Sequence, residues 1–294
     1  MPPALPEPGH QTPPQVGAVT ADDIRQFAEA IGDDNLIFHD EAAARAAGFS
    51  AIPAQPTFIT RFHVEFADAG LDTLHSQVLH GEQEYTYQRP IVAGDRLIVR
   101  YVATSVRQTR RADGMAILTL EQQCDASDGQ RLATGKAIIV VRDMSADSGG
   151  EAAPGRQLPD AEGQRIPDLV KRVTQEQINA YADVSGDHNP IHLDPAVARS
   201  VGLEGTIAHG MLSMAFLGQT LTNWLATQPD RAGWVRRLRV RFQAMVRPGD
   251  TLTCSGAMGA GASDGQRVEL WINNQRGERV VTGDADVAFS HQDA

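Results

Sequence analysis

Residues 19–58 read VTADDIRQFAEAIGDDNLIFHDEAAARAAGFSAIPAQPTF, and residues 173–212 read VTQEQINAYADVSGDHNPIHLDPAVARSVGLEGTIAHGML. Laid on each other at an offset of 154, the two stretches align without a gap. Gly32 falls on Gly186, Asp33 on Asp187, Asn35 on Asn189, Asp40 on Asp194 and Gly48 on Gly202. Farther on, RPIVAGDRLIV from Arg89 resembles AMVRPGDTLTC from Ala244, with Gly94 and Asp95 on Gly249 and Asp250 at an offset of 155. A chain of 294 residues has room for two domains, each with its own buried core. Internal self-similarity is the mark of a repeated unit, and two copies of one domain explain it most economically.

Each copy predicts the same local structure. Thr20 with Asp23, and Thr174 with Gln177, read as helix N-termini whose side chains satisfy free backbone N–H groups. The Gln version fits the capping-box pattern and the Asp version only approximates it. A short helix then stops at Gly-Asp. Proline disfavours helical geometry in the residue before it, so Asn189-Pro190 makes Asp187–His192 a loop between two helices. The second short helix is framed by Asp194 as N-cap, Pro195 at its first position and Gly202 past its end. Met211–Leu225 is apolar around most of its circumference and predicts a buried helix. The runs VRRLRVRFQAMV, TLTCSGAM, RVELWINNQ and VVTGDADVAFS follow as strands. The expected class is α+β, with an antiparallel sheet wrapped around a long buried helix in each copy. The glycine-rich GAMGAGASDG lacks a following Lys-Ser/Thr, so it reads as a hairpin connection and not a nucleotide loop.

The stretch SADSGGEAAPGRQLPDAEGQ suits an exposed linker. The expected limits are a disordered, proline-rich tail over 1–16, a first domain over 17–144, a linker over 145–166 and a second domain over 167–290. Hydrophobic residues make up 41% and charged residues 21%, a soluble globular balance. No run approaches the roughly 18 apolar residues that cross a bilayer, and the first residues lack the basic start and apolar stretch of a signal peptide. Cys124 and Cys254 show no metal or redox spacing, so they read as packed thiols and the expected location is cytoplasmic. The net charge of −11 argues against general nucleic-acid binding, which needs a basic surface.

Chemistry concentrates in the second copy. Asp187 and His192 lie on the loop fixed by Pro190, and Ala208-His209-Gly210 opens the buried helix, where unpaired N–H groups and a positive dipole end are presented. A glycine there lets a ligand carbonyl approach the backbone. SGDHNPIH followed by AHGM resembles the hydratase-2 signature of MaoC-like, (R)-specific enoyl-CoA hydratases, which have the hotdog fold. The resemblance covers residues 166–290 and, more weakly, 17–143, and it implies a double hotdog. It implies that Asp187 and His192 hold the catalytic water, that the Gly210 N–H binds the thioester oxygen, and that Asn189 shapes the loop. Adding water to a conjugated 2,3-double bond needs a base, an acid and a donor for the enolate-like oxygen. No metal or cofactor is called for, coenzyme A being part of the substrate.

The first copy departs from the pattern twice. Phe38 stands where His192 does, and Gln55-Pro56 stands where His209-Gly210 does. Proline has no N–H to donate. Asp33 and Asn35 remain, for turn geometry, and His39, one place too far along, should point elsewhere. This half is expected to be catalytically dead, and the resemblance implies that it widens the acyl tunnel.

Arg236, Arg237, Arg239 and Arg241 lie on one predicted strand, with 237, 239 and 241 on one face. They are either a solvated sheet face or a contact for the phosphates of coenzyme A or a carrier protein's phosphopantetheine. A zinc site from His188, His192 and His209 is disfavoured, because Asn189-Pro190 prevents the helix that would bring His188 and His192 to one face. The expected activity is reversible hydration of trans-2-enoyl-CoA to (R)-3-hydroxyacyl-CoA. The alternatives are a dehydratase acting on acyl-carrier-protein thioesters and, in another class, a non-catalytic thioester-binding scaffold subunit. A thioesterase fits the Asp…Asn-Pro…His loop less well. Neither nucleic acid nor membrane is expected as a partner, and pairing of two chains into a homodimer is compatible with the sequence.

Overall fold

Alternation builds the sheet. Along Ala116–Ala126 the side chains of Ala116, Leu118, Leu120, Gln122 and Cys124 are buried and those between them are not, the period-two pattern of a strand with one covered face. The computed structural model describes residues 5–62, 76–108, 116–143, 162–228, 233–262 and 265–289. The first half contributes β1 (Gln15–Ala18), β2 (Ser76–Tyr87), β3 (Arg96–Gln108), β4 (Ala116–Ala126) and β5 (Arg131–Asp143). The second contributes β6 (Arg165–Arg172), β7 (Gly233–Phe242), β8 (Thr251–Ala262), β9 (Gly265–Asn274) and β10 (Arg279–Phe289). All lie in one sheet of ten strands, in the order β1-β3-β4-β5-β2-β7-β10-β9-β8-β6. The order from either edge inward is the same, so a pseudo-two-fold axis passes between β2 and β7. This is the double hotdog.

The seam is an antiparallel pairing of β2 with β7 in which Tyr85 faces Leu238, Gln83 faces Val240, Glu84 faces Arg239 and Glu82 faces Arg241. Tyr85, Gln83, Leu238 and Val240 turn inward and are buried. On the other face Arg237 reaches Glu84 at 2.9 Å, Asp284 at 2.5 Å and Asp286 at 3.4 Å. Arg239 and Arg241 reach Glu82 at 3.0 and 3.7 Å. Of the two readings of these arginines, the structure supports the sheet face. Past the bulge that follows Val235, the odd-numbered residues of β7 point away from the core, and there neighbouring strands supply carboxylates, so Arg237, Arg239 and Arg241 form a cross-strand ion network and do not line the cleft described below.

The helices are α1 (Ala21–Ile31), α2 (Glu41–Ala46), α3 (Gln175–Ser185), α4 (Pro190–Leu193), α5 (Pro195–Ser200) and α6 (Gly210–Ala226). The long helix α6 is the expected buried one: every residue from Leu212 to Thr222 is buried, and it lies against β6, β7, β8 and β9. Each fully buried Leu, Met or Phe there contributes roughly 1.5–3 kcal/mol. Two of its three buried hydroxyls are satisfied within the helix, Thr220 donating to the Phe216 carbonyl and Thr222 to that of Gln219. At the corresponding place the first half has a 3₁₀ turn, Phe58–Arg61, and residues 63–75 lie outside the described set. A single apolar core joins residues of both halves, from Phe27 and Phe58 to Phe216 and Leu238. None of the described helices is long and apolar enough to cross a membrane.

Four local expectations are corrected. The Thr20–Asp23 pair makes both bonds of a capping box, whereas at α3 Thr174 accepts from the Gln177 N–H and the box is not closed. The shorter carboxylate of Asp23 reaches back to the Thr20 N–H at 3.3 Å. The tail over 1–16, expected to be disordered, is tied to β3 in its described part: Gly9 and Thr12 donate to the Ala103 and Tyr101 carbonyls, Ala103 donates to that of His10, and β1 pairs with β3. An edge strand tolerates proline because half of its N–H groups face outward. Most of GAMGAGASDG is strand, with Ala262 paired to Gly265. The linker lies outside the described residues up to 161, and β6 begins inside its far end at Arg165.

Reversing Glu84 to Arg should place it against Arg237 and Arg239 and lower Tm by about 2–4 °C, the shift expected of roughly 1 kcal/mol in a chain of this size. Adding Arg239→Glu should recover most of the loss in a thermal melt.

Candidate active site

Helix α3 ends at Gly186, whose φ of 77° is left-handed and suits glycine. The next two side chains fold the chain back on itself: Asp187 Oδ1 accepts from the Asn189 N–H at 3.2 Å, and Asn189 Oδ1 accepts from the Ile191 N–H at 3.3 Å. Asn189 thereby caps α4, a single turn with Pro190 at its first position. The expected loop is thus shorter than Asp187–His192, and His192 sits on that turn. Its Nδ1–H donates to the Ile207 carbonyl at 2.8 Å, which leaves Nε2 as the acceptor. Burial holds the His192 pKa below the usual imidazole value, with Asp187 opposing the shift.

His209 stands next to it. The ring centroids of His192 and His209 are 3.9 Å apart, and that of Tyr181 lies 5.3 Å from His209. The His209 Nε2–H donates to the backbone carbonyl of Asp187 at 2.9 Å, so this residue ties the carboxylate's loop to the start of α6. Gly210 is the first residue of that helix, where the N–H has no partner within the helix. A Cβ at Gly210 would stand 3.2 Å from the half-buried Phe242 ring, which would have to shift by a few tenths of an ångström to admit it.

Asp187, His192 and His209 each offer one ligand atom, all within 4.8 Å of one another, and these are the described residues that could hold a metal ion. His188 is not among them; it faces Asp183 at 3.3 Å on the exposed side of the loop. The cluster opens on a cavity of about 200 Å³ lined from the second half by Ile191, Gly210 and Phe242, and from the first half by Val78, Leu79, His80 and Ile139. A further cavity of about 90 Å³ runs from Asp187 and Met211 toward Thr60, Tyr85, Tyr101 and Gln122 of the first half. The sequence reading missed His80 and its neighbours, because only the register of β2 on β7 brings them to the cleft.

In the first half Asp33 Oδ1 also accepts from the backbone of Asn35, at 3.1 Å, so the turn is shared. Phe38 is buried at the place of His192. Gln55 donates to the Ile24 carbonyl at 3.2 Å, and the Tyr87 hydroxyl donates to the carbonyl of Pro56 at 2.6 Å. His39 does turn elsewhere, donating to the Asp33 carbonyl at 2.7 Å; it supplies the tie that His209 supplies to Asp187. Burial pushes the Asp33 carboxyl up to about 6, against the opposing charge of Lys171.

Comparison with known proteins finds related sequences for both halves. Residues 160–273 match the profile of the MaoC like domain, and residues 7–135 match the FAS1-like dehydratase domain region. A UPF0336 protein of Parafrankia sp. is 38% identical over 124 residues, 40% of this chain and 80% of that protein. The 3-hydroxyacyl-thioester dehydratase X of Mycobacterium tuberculosis is 31% identical over 196 residues, 66% of this chain and 62% of its own length. Among solved structures, a MaoC-like dehydratase superposes with a TM-score of 0.78 at 23% identity, over 96% of this chain and 98% of the other. The second half is a MaoC-like domain and the first a FAS1-like dehydratase region. The chain is accordingly a hydro-lyase.

Asp33 gives a stability prediction with a definite sign. Its folded pKa of about 6 lies above the ordinary 3.8, so ionising it costs folding free energy above pH 6, and the cost fades as pH falls toward 4. Asp33→Asn keeps the acceptor for Asn35 and should raise Tm by about 2–4 °C at pH 8, on the scale of 1 kcal/mol or so. Little gain should remain at pH 4, and a gain of equal size at both would contradict the assignment.

Proposed function

We propose that the chain is a 3-hydroxyacyl-thioester dehydratase that also runs in reverse, hydrating trans-2-enoyl-CoA to (R)-3-hydroxyacyl-CoA at a single site. The observation that carries this reading is the convergence of the Asp187 carboxylate and His192 Nε2 beside the first N–H of α6. A water between the two can donate one proton to the carboxylate and one to the imidazole, so its oxygen lone pair points at C3. In hydration the C3–O bond forms, the pair takes up a water proton, and charge moves to the thioester oxygen on the Gly210 N–H. The proton is then delivered to C2 and the double bond is gone. Dehydration is the same path backwards: C2 gives up its proton and the C3 hydroxyl leaves as water. A low His192 pKa suits this work, since a neutral imidazole can accept from water at pH 7.

His209 is a positioning residue in this scheme, and the acyl chain extends toward Tyr85 and Gln122 in the first half. The degenerate half then contributes wall and not chemistry. Coenzyme A is the assigned carrier; acyl carrier protein is the alternative, and the cytoplasm is the proposed location.

The test follows loss of enoyl-thioester absorbance with CoA and carrier-protein substrates. Asp187→Asn and His192→Ala should each lower turnover about 10²-fold or more, the scale of acid–base groups, while Asp33→Asn stays within about twofold of wild type. Equal losses at Asp33 and Asp187 would overturn the one-site reading. Gly210→Pro removes the N–H at a helix position that accepts proline, and His209 already has the extended backbone (ψ 132°) that proline demands of its predecessor. The expected result is a folded protein with turnover down about 10²–10³-fold. The acid limb of kcat/KM should have its midpoint below the ordinary imidazole value of 6.5, and chelators should leave the rate unchanged.

A further inference from the structure

The degenerate half still has a cavity, and it is larger than the catalytic one: about 480 Å³ against about 200 Å³. Its walls are the pseudo-symmetry mates of the cleft's walls. Ile37 and Phe38 stand for Ile191 and His192, and Gln55 and Pro56 for His209 and Gly210. Across the seam, Trp234 and Val235 on β7 stand for Leu79 and His80 on β2. Every exchange that removes a catalytic or polar group here has put an apolar one in its place, except Gln55. Protein interiors pack closely, and a disused site under no demand fills in. This one has opened to a size usual for small-molecule sites, and it adjoins an outer cleft bearing Ser50, Arg89 and Asp95. An apolar chamber with a polar mouth fits an amphiphile with one alkyl chain.

We propose that this cavity is a second, non-catalytic binding site for the alkyl chain of a fatty acyl group, with the head of the ligand at the Arg89–Asp95 mouth. Phe38 and Pro56 supply neither a base nor an oxyanion donor, so a ligand held there is not converted. Helix α6 links the two sites. Gly210 borders the catalytic cleft and Leu225 borders this chamber; fifteen residues apart, they are separated by about 22 Å along the helix axis. The proposal rests on the dehydratase reading only for its ligand class, and the test reads the two separately.

Decanoyl-CoA has neither the double bond nor the 3-hydroxyl and cannot turn over, so it serves as the probe, with free decanoate beside it. Calorimetric titration of the wild type should give two decanoyl-CoA equivalents per chain. Ala43→Trp on α2 and Ala226→Trp at the end of α6 each fill the chamber from a different wall. Each should reduce the stoichiometry to one while leaving crotonyl-CoA hydration within about twofold. His192→Ala should abolish hydration and keep both equivalents, which separates failure of the activity from failure of the site. Decanoate competing for the second equivalent alone would assign that site to the chain and not the thioester head. A single equivalent in the wild type, unchanged in both tryptophan variants, overturns the proposal. So does loss of hydration in both folded variants, because the chamber would then belong to the catalytic path.

Discussion

The pairing of β2 with β7 is the constraint on which the molecule depends. It turns two five-stranded sheets into one of ten strands and sets which residues of one half face the other. The inward row of that pairing, Gln83 and Tyr85 against Val240 and Leu238, joins the two cores. The same register carries Val78, Leu79 and His80 to the cluster formed by Asp187, His192 and His209. Neither half encloses the cleft alone. A slip of one residue would exchange the inward and outward rows, turning the glutamates and arginines of the seam into the core.

Within that frame the second half positions its chemistry by short, local devices. A left-handed glycine ends α3, two Asx turns redirect the chain, and a single helical turn offers the imidazole. The Ile207 carbonyl selects the tautomer, and burial lowers the pKa of the ring. His209 couples the loop to α6, so carboxylate, imidazole and helix N-terminus form one mechanical unit. The first half keeps the turn and assigns the tie to His39. At the positions of His192, His209 and Gly210 it carries Phe38, Gln55 and Pro56 instead.

Much of this was legible in the chain. The duplication, the break at Asn189-Pro190, the cap at Asp194 and the buried helix follow from local rules, because proline, glycine and capping side chains act within a few residues of themselves. The departures of the first half from the motif, at Phe38 and Pro56, were readable for the same reason. What escaped the sequence depends on partners distant in the chain. The β7 arginines could not be assigned until Glu82, Glu84 and Asp284 were found beside them. His80 carries no motif and enters the cleft through a strand register. The ordered start of the chain depends on β3, almost ninety residues away, to receive its hydrogen bonds; Tyr101 alone takes one from Thr12 and gives one to its hydroxyl.

The charges along the seam also carry a record of descent. At an offset of 155 Glu84 and Arg239 are equivalent positions, and they are also directly opposite each other, so the pseudo-axis passes through this pair. In a symmetric dimer of identical subunits, a residue on the axis meets its own copy, and glutamate would meet glutamate. An acid facing a base on the axis can arise only when the two sides are encoded separately. The pair therefore dates from after the duplication, when one half had become free to change without the other. It also makes each half a poor match for a second copy of itself, which favours association of unlike halves within one chain.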